Sequence, residues 1–225
     1  MFGERATKAE MDEVFSSFAK CNIVPRLTFS NMLAKVEWLD EPYAKRMLEV
    51  AAEYHGEVIV YSHEIGKEVR KRYGMPIILS TSRPLETPDE VNKALETYDV
   101  VVLNYNHHKD PEFLKAINCI KRTEVMVNET CQPNCPNRPG HHMMVSKSQV
   151  DDRVLQTRCL FKNDNNKFKN ADVRKLANSF GIENFKIVGR EQPASELVND
   201  FCYYLILPEY RETVKEEIKE KFFTD

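Results

Sequence analysis

Residues 58–79 read VIVYSHEIGKEVRKRYGMPIIL. The apolar run at 58–61 predicts a strand, and apolar residues at every fourth position over 63–73 predict a helix. Gly74 is placed to end that helix, because glycine readily adopts the left-handed conformation that closes helices. A second apolar run at 77–79 predicts the next strand. A strand, a helix and a strand in this order form the repeating unit of a parallel sheet with crossover helices.

This alternation continues along nearly the whole chain. Strands are predicted at 24–29, 58–61, 77–79, 100–103, 125–127 and 185–187. Helices are predicted at 7–19, 41–54, 63–73, 171–180, 194–206 and 208–222, and shorter ones begin after Thr87 and Asp110. Polar side chains follow the strands, at the edge where (β/α) barrels place their active sites: Asn31, Ser62, Thr81, Asn104 and Asn128. Asn31, Thr81 and Asn104 could line a pocket there or cap the helix that follows each of them.

We therefore predict an α/β fold, a TIM-like (β/α) barrel formed by a single domain over residues 1–225. The sequence shows fewer strands than the eight of a closed barrel, so we expect the barrel to be incomplete. A doubly wound open sheet would give a similar pattern, and the spacing of the strands does not separate the two.

The composition of the chain restricts the classes of function that it can have. The chain has 225 residues, 42% of them hydrophobic and 30% charged, as in a soluble globular protein. Its net charge of -3 gives no general attraction to nucleic acid or anionic membranes, so nucleic-acid binding would need a local patch. No apolar run is long enough for a membrane span and no signal peptide is evident. We expect a cytoplasmic protein whose six cysteines are reduced.

Residues 124–144 read EVMVNETCQPNCPNRPGHHMM and hold many groups able to bind a metal. Pro133, Pro136 and Gly140 predict a turn-rich loop rather than a helix, within a metal-binding loop at about 128–160. Reduced cysteines that cluster are typical of metal ligands. Thiolates are soft ligands that suit iron–sulfur clusters and zinc. The predicted metal ligands are Cys131, Cys135, Cys159, His141 and His142.

The identity of the metal stays open at this point. Three cysteines and one histidine would form a closed structural zinc site. A cluster with three cysteine ligands would leave one iron open to substrate or to another ligand. The candidates for a fourth ligand are His141, His142, Cys21, Cys119 and Cys202. We expect Cys202 to be a buried small hydrophobe, Cys119 to be structural, and the pair His107 and His108 to be solvated in a loop.

Two charged residues are candidates for catalysis. Glu129 follows the fifth strand and could act as a general acid or base, or cap its own loop. Arg190 follows the sixth strand and could hold a carboxylate or phosphate in two-point contact. Its alternative is a salt bridge to Glu129 or Glu191. The terminal helix at 208–222 carries charges at helical spacing and is expected to be a solvated face.

Three segments together resemble a known family. They are VNETCQPNCPNRPGHH at 127–142, RLTFSN at 26–31 and NFKIVGR at 184–190. In this order they resemble the iron–sulfur proteins related to the collagenase-like peptidases of family U32, and above all an uncharacterised bacterial branch of that group. The resemblance implies a TIM-barrel-like fold and a [4Fe–4S] cluster, and it carries Cys131, Cys135 and Cys159 over as ligands.

The resemblance also bears on activity and partners. Relatives hydroxylate RNA bases or quinone precursors without oxygen, whereas no nucleophile and base for proteolysis are legible in this chain. Relatives have one or two more strands before the point where this chain begins. We therefore expect the barrel to be incomplete at its N-terminal side, with exposed strand edges that a protein partner or self-association would cover.

Three functions are compatible with the sequence. The first is an iron–sulfur redox or hydroxylation enzyme acting on a nucleic-acid base or a small aromatic substrate. The second is a non-catalytic binding or accessory protein stabilised by zinc or a cluster. The third, a metal-dependent hydrolase, is disfavoured because the H-x-E signature of the thiolate-ligated zinc deaminases is absent.

Overall fold

The computed structural model describes residues 6–154, 167–189 and 193–222. The strands are β1 (Arg26–Phe29), β2 (Glu57–Val60), β3 (Ile77–Leu79), β4 (Val100–Val102), β5 (Thr123–Met126) and β6 (Asn184–Lys186). The first helices are α1 (Lys8–Lys20), α2 (Pro42–Glu53), α3 (His63–Tyr73), α4 (Pro88–Leu95) and α5 (Pro111–Lys115). The later ones are α6 (Arg138–Ser148), α7 (Asn170–Phe180), α8 (Ala194–Leu205) and α9 (Arg211–Phe222). Short 3-10 helices lie at Val36–Asp40, Tyr105–His107, Ile120–Arg122 and Pro208–Tyr210.

This order confirms the predicted fold class. The described residues form six parallel strands that alternate with helices, which is the architecture of an incomplete TIM-like (β/α) barrel. Each predicted strand is present within about two residues of its expected bounds. None of the described helices combines the length and the apolar character needed to cross a bilayer.

The chain divides into two compact units. The first consists of residues 1–104 and 135–159, and the second of residues 105–134 and 160–225. In the first unit β1, β2, β3 and β4 pair in chain order, with Leu27 beside Val58 and Ile78 beside Val100. In the second unit β5 pairs with β6, and Val125 lies beside Phe185. The prediction of a single domain over residues 1–225 stays a prediction.

The core of the first unit explains why β2 and β3 read as unbroken apolar runs. Val58 and Val60 on one face of β2 have no exposed surface, and Ile59 on the other face is 4% exposed. All three residues of β3 are at most 2% exposed, so both faces of these strands are buried. Gly66 lets α3 approach the sheet closely, because a Cβ atom there would lie 3.2 Å from both Ile77 Cδ1 and Val60 Cγ2.

Helix α6 corrects the prediction of a turn-rich loop. Arg138–Ser148 is helical, and Pro139 and Gly140 lie in its first turn. A proline in the first turn costs no hydrogen bond, because the backbone N–H groups there have no partner within the helix. Of the three residues that predicted the loop, Gly140 therefore lies in a helix, whereas Pro133 and Pro136 lie in turns before it. His141 and His142 are helical residues.

Two glycines provide a matched test of this correction. Gly140 is helical and has open space around its Cα, so Gly140→Ala should stabilise the protein by about 0.5 kcal/mol. Gly74 has the same open space, but this residue closes α3 with a φ of +65°. Gly74→Ala should therefore destabilise the protein by about 1 kcal/mol. Urea unfolding of both variants measures the two changes. A loss of stability in Gly140→Ala would contradict the helical start of α6.

Candidate functional site

The end of β1 holds α6 within the first unit. Asn31 Oδ1 accepts the backbone N–H of Leu33 at 2.7 Å. Asn31 Nδ2 donates to the carbonyl oxygen of Ser146 at 3.0 Å and to Gln149 Oε1 at 2.8 Å. Ser146 Oγ accepts the backbone N–H of Met32 at 3.0 Å. The last residue of the RLTFSN segment therefore closes its own turn and anchors the C-terminal half of the helix that carries His141 and His142.

Other polar residues at the strand ends of the first unit also have partners within that unit. Ser62 Oγ accepts the N–H of Ile65 at 3.4 Å and caps α3. Thr81 Oγ1 donates to the carbonyl oxygen of Leu103 at 3.3 Å. Asn104, which is buried, donates from Nδ2 to Glu86 Oε1 at 2.9 Å. These contacts order the edge of the sheet.

In the second unit, Asn128 joins two of the family-like segments. It is 1% exposed and follows β5. Its Oδ1 accepts the backbone N–H of Val188 at 2.7 Å, and its Nδ2 donates to the carbonyl oxygen of Val188 at 2.8 Å. The same Nδ2 donates to Asp200 Oδ2 of α8 at 2.6 Å. The amide thus continues the pairing of β5 with β6 beyond the strands and ties both to α8.

Tyr204 of α8 adds a second connection at the end of β5. Its hydroxyl lies 2.9 Å from the carbonyl oxygen of Val127 and 3.0 Å from that of Phe168. The backbone N–H of Phe168 donates to the same Val127 oxygen at 2.8 Å. Burial, and then the negative charge of Asp200, raise the pKa of Tyr204. The hydroxyl is therefore held as a proton donor between two carbonyl groups.

The lysine of the K-I-x-G-R segment also has a structural contact. Lys186 Nζ lies 3.7 Å from Glu124 Oε1, and the Glu124 side chain is 4% exposed. The two residues belong to the paired strands β6 and β5. The lysine thus compensates a carboxylate that burial would otherwise destabilise.

Cys131 lies in a turn that several side chains fix in the second unit. Glu129 Oε1 accepts the backbone N–H of Cys131 at 2.8 Å. The Tyr105 hydroxyl donates to the carbonyl oxygen of Gln132 at 3.0 Å, and Asn106 Oδ1 accepts the backbone N–H of Asn134 at 2.8 Å. Cys131 itself is half-buried. Glu129 therefore caps its own loop, as one of its two predicted roles requires. Its catalytic role stays a prediction.

The remaining candidate ligands with described positions lie in the first unit. Cys135 is half-buried, His141 is exposed and His142 is half-buried. The two histidine rings are stacked with centroids 6.3 Å apart.

Cys159 and Arg190 lie outside the residues that the structure describes. Within residues 6–154, 167–189 and 193–222, no group of three or more His, Cys, Asp or Glu side chains is arranged to hold a metal ion. Cys202 is 1% exposed, which confirms it as a buried small hydrophobe. Cys21 and Cys119 are exposed thiols.

The prediction of a solvated pair at His107 and His108 is wrong. The His107 ring stacks on Phe113 with centroids 4.2 Å apart. His108 is 1% exposed, and its ring centroid lies 6.1 Å from that of Phe168. His108 is therefore buried, and His107 is half-buried against its aromatic partner. Phe168 is distant in sequence, so local periodicity gave no signal of this contact.

Asn128 offers a direct test of the connection between β5, β6 and α8. Asn128→Ala removes every hydrogen bond of this buried amide and leaves the backbone N–H and carbonyl oxygen of Val188 without this partner. It should lower the free energy of unfolding by roughly 2–4 kcal/mol. The matched control is Asn178→Ala, at an exposed position of α7, which should change it by less than about 0.5 kcal/mol. Equal effects of the two variants would contradict the assigned role.

Tyr204 predicts a pH dependence of stability. The folded chain raises the pKa of this phenol above its ordinary value of 10.0, so folding favours the protonated form. The Tyr204 hydroxyl therefore contributes its full stabilisation of the folded chain at pH values below the ordinary pKa. This contribution is lost as the pH rises toward the pKa of the phenol in the folded chain. Urea unfolding from about pH 8 to 11 should therefore show a steeper loss of stability in the wild-type protein than in Tyr204→Phe. Parallel pH profiles would contradict this.

Comparison with known proteins adds one result. No protein-family model and no curated protein matches the chain. The fold is similar to a solved structure, that of the U32 peptidase Mk0906, with a TM-score of 0.54. The match covers 86% of this chain and 81% of that chain, at 13% sequence identity. At this identity the similarity shows the fold alone: the chain has a U32-like fold.

Proposed function

We propose that this protein binds a [4Fe–4S] cluster through Cys131, Cys135 and Cys159, with His141 or His142 as a candidate fourth ligand. Zinc held by the same residues is the alternative. The observation that carries the proposal is the fixed turn around Cys131, in which three hydrogen bonds hold the backbone of residues 131–134. The C-x3-C spacing and the resemblance of the surrounding segment support it.

A fixed turn matters because a metal site needs its ligands in one geometry. Ordering a residue's backbone costs about 1–2 kcal/mol, and here the protein orders it through its own contacts. Neither Cys131 nor Cys135 forms a disulfide. These two thiols do not complete a site by themselves, and the third proposed ligand, Cys159, lies outside the described residues.

The reaction we propose is redox or hydroxylation chemistry on a nucleic-acid base or a small aromatic substrate, in the cytoplasm. The cluster would supply electron transfer when bound. Arg190 would hold an anionic group of the substrate, and Glu129 would move a proton. This part of the proposal is supported by the resemblance of the three segments and by the U32-like fold.

A second candidate is a non-catalytic, metal-stabilised accessory protein. The observation that favours it is the contact of Glu129 with the backbone N–H of Cys131, because a carboxylate that caps a turn needs no role in proton transfer. In this case the metal would tie the segment after β5 in place, and a protein partner or a second copy would cover the exposed edge of an incomplete barrel.

Anaerobic purification followed by metal analysis and an absorption spectrum tests the proposal. The wild-type protein should be brown with about four irons per chain. Cys131→Ala and Cys135→Ala should lose both the colour and the iron. Cys21→Ala, which changes an exposed thiol outside the motif, should retain both. A colourless protein with one zinc per chain would contradict the cluster and support the zinc alternative. A metal-free protein would contradict both.

The same variants separate the two candidate functions. For an enzyme, anaerobic hydroxylation of RNA bases or small aromatic compounds should disappear with the cluster. Activity that survives in Cys131→Ala would reduce the metal to a structural role. Self-association measured by sedimentation, together with a lack of activity in the cluster-bound protein, would favour the accessory protein.

A further inference from the structure

A cavity of about 220 Å³ lies in the second unit, at the surface of α5 and α7. Its apolar lining consists of Pro111, Leu114, Phe168, Leu176 and Phe180. Leu114, Phe168 and Leu176 are each at most 5% exposed, so the floor of the cavity belongs to the packed core of the unit. Above this floor Pro111 is exposed and Phe180 is half-buried, so these two side chains form the apolar wall that a ligand would meet.

Two lysines stand at this apolar floor. Lys109 Nζ lies 4.9 Å from the centroid of the Phe168 ring and donates to the carbonyl oxygen of Lys167 at 3.2 Å. These contacts hold one ammonium group against the aromatic ring. Lys175 projects from α7, and its side chain forms no ion pair with the described residues. The cavity therefore offers positive charge beside an apolar surface.

Asp172 is the third charged residue of the lining, and its carboxylate already has a partner. Its Oδ2 accepts the backbone N–H of Lys169 at 3.0 Å, at the start of α7. A carboxylate at a helix N-terminus is stabilised there by the helix dipole. With two lysines and one aspartate, the lining carries a formal charge of +1.

We propose that this cavity binds a small carboxylate with an aromatic or branched aliphatic body. The body packs against Pro111 and Phe180 above the buried floor, and the carboxylate pairs with the ammonium groups of Lys109 and Lys175. The volume is below the roughly 300–1,000 Å³ of sites for drug-sized ligands, which limits the body to about one ring. The formal charge of +1 in the lining matches the single negative charge of a carboxylate better than the nearly double charge of a phosphate monoester.

This inference goes beyond the proposed function, since none of the described candidate metal ligands lines the cavity. It concerns a small-molecule site whose occupancy can be measured whether or not the purified protein carries a metal. A negative result for the metal site therefore does not contradict the carboxylate site, and the reverse also holds.

Calorimetric titration of the full chain with 3-phenylpropionate tests the site. We expect a dissociation constant below about 1 mM. The alcohol 3-phenyl-1-propanol has the same body without the charge and should bind at least about tenfold more weakly. Lys175→Gln should weaken the binding of 3-phenylpropionate about tenfold and leave the binding of the alcohol unchanged. Lys219→Gln, an equal change of charge at an exposed position of α9, should affect neither ligand.

Several outcomes would overturn the inference. They are no saturable binding of 3-phenylpropionate up to about 10 mM, equal affinity for the acid and the alcohol, or equal weakening by Lys175→Gln and Lys219→Gln. Because Lys175 is exposed, Lys175→Gln should fold normally, and an unchanged Tm would show that it does. Chemical shift changes at Leu176 and Phe180 on adding the acid would locate it in the cavity, whereas shifts confined to other residues would contradict the assignment.

Discussion

The second unit depends on a buried amide. Asn128 satisfies the backbone N–H and the carbonyl oxygen of Val188 and also bonds to Asp200. A buried amide has several polar atoms that need partners, and an aliphatic residue of similar size could satisfy none of the backbone groups it meets. The strand β5, the segment after β6 and the helix α8 are held together at this point, and the turn that presents Cys131 begins one residue later.

The polar residues that follow the strands have a shared role. Asn31, Ser62, Asn104, Asn128 and Glu129 each bond to a nearby backbone or side-chain group within their own unit. They determine the course of the chain beyond the sheet.

Local periodicity was sufficient to locate the strands and helices, because parallel strands buried on both faces give short apolar runs and capped helices give clear starts. Thr87 and Glu90 form a reciprocal cap where α4 was predicted to begin, and Gly74 closes α3 as expected. Periodicity failed at α6, since Pro139 and Gly140 can begin a helix as well as a loop. It failed again at His108, whose ring lies beside that of Phe168. These two residues are far apart in the sequence, and no local pattern indicates such a contact.

The bond between Asn31 and Ser146 joins residues 115 positions apart, whereas the pairing of Arg26 with Glu57 spans 31. During synthesis the N-terminal end of the chain leaves the ribosome first, so β1 and β2 can pair while later segments are still being made. The contact of α6 with the end of β1 must wait until residue 146 has left the ribosome. During synthesis the partners of the strand pairing are thus available well before those of the contact between β1 and α6.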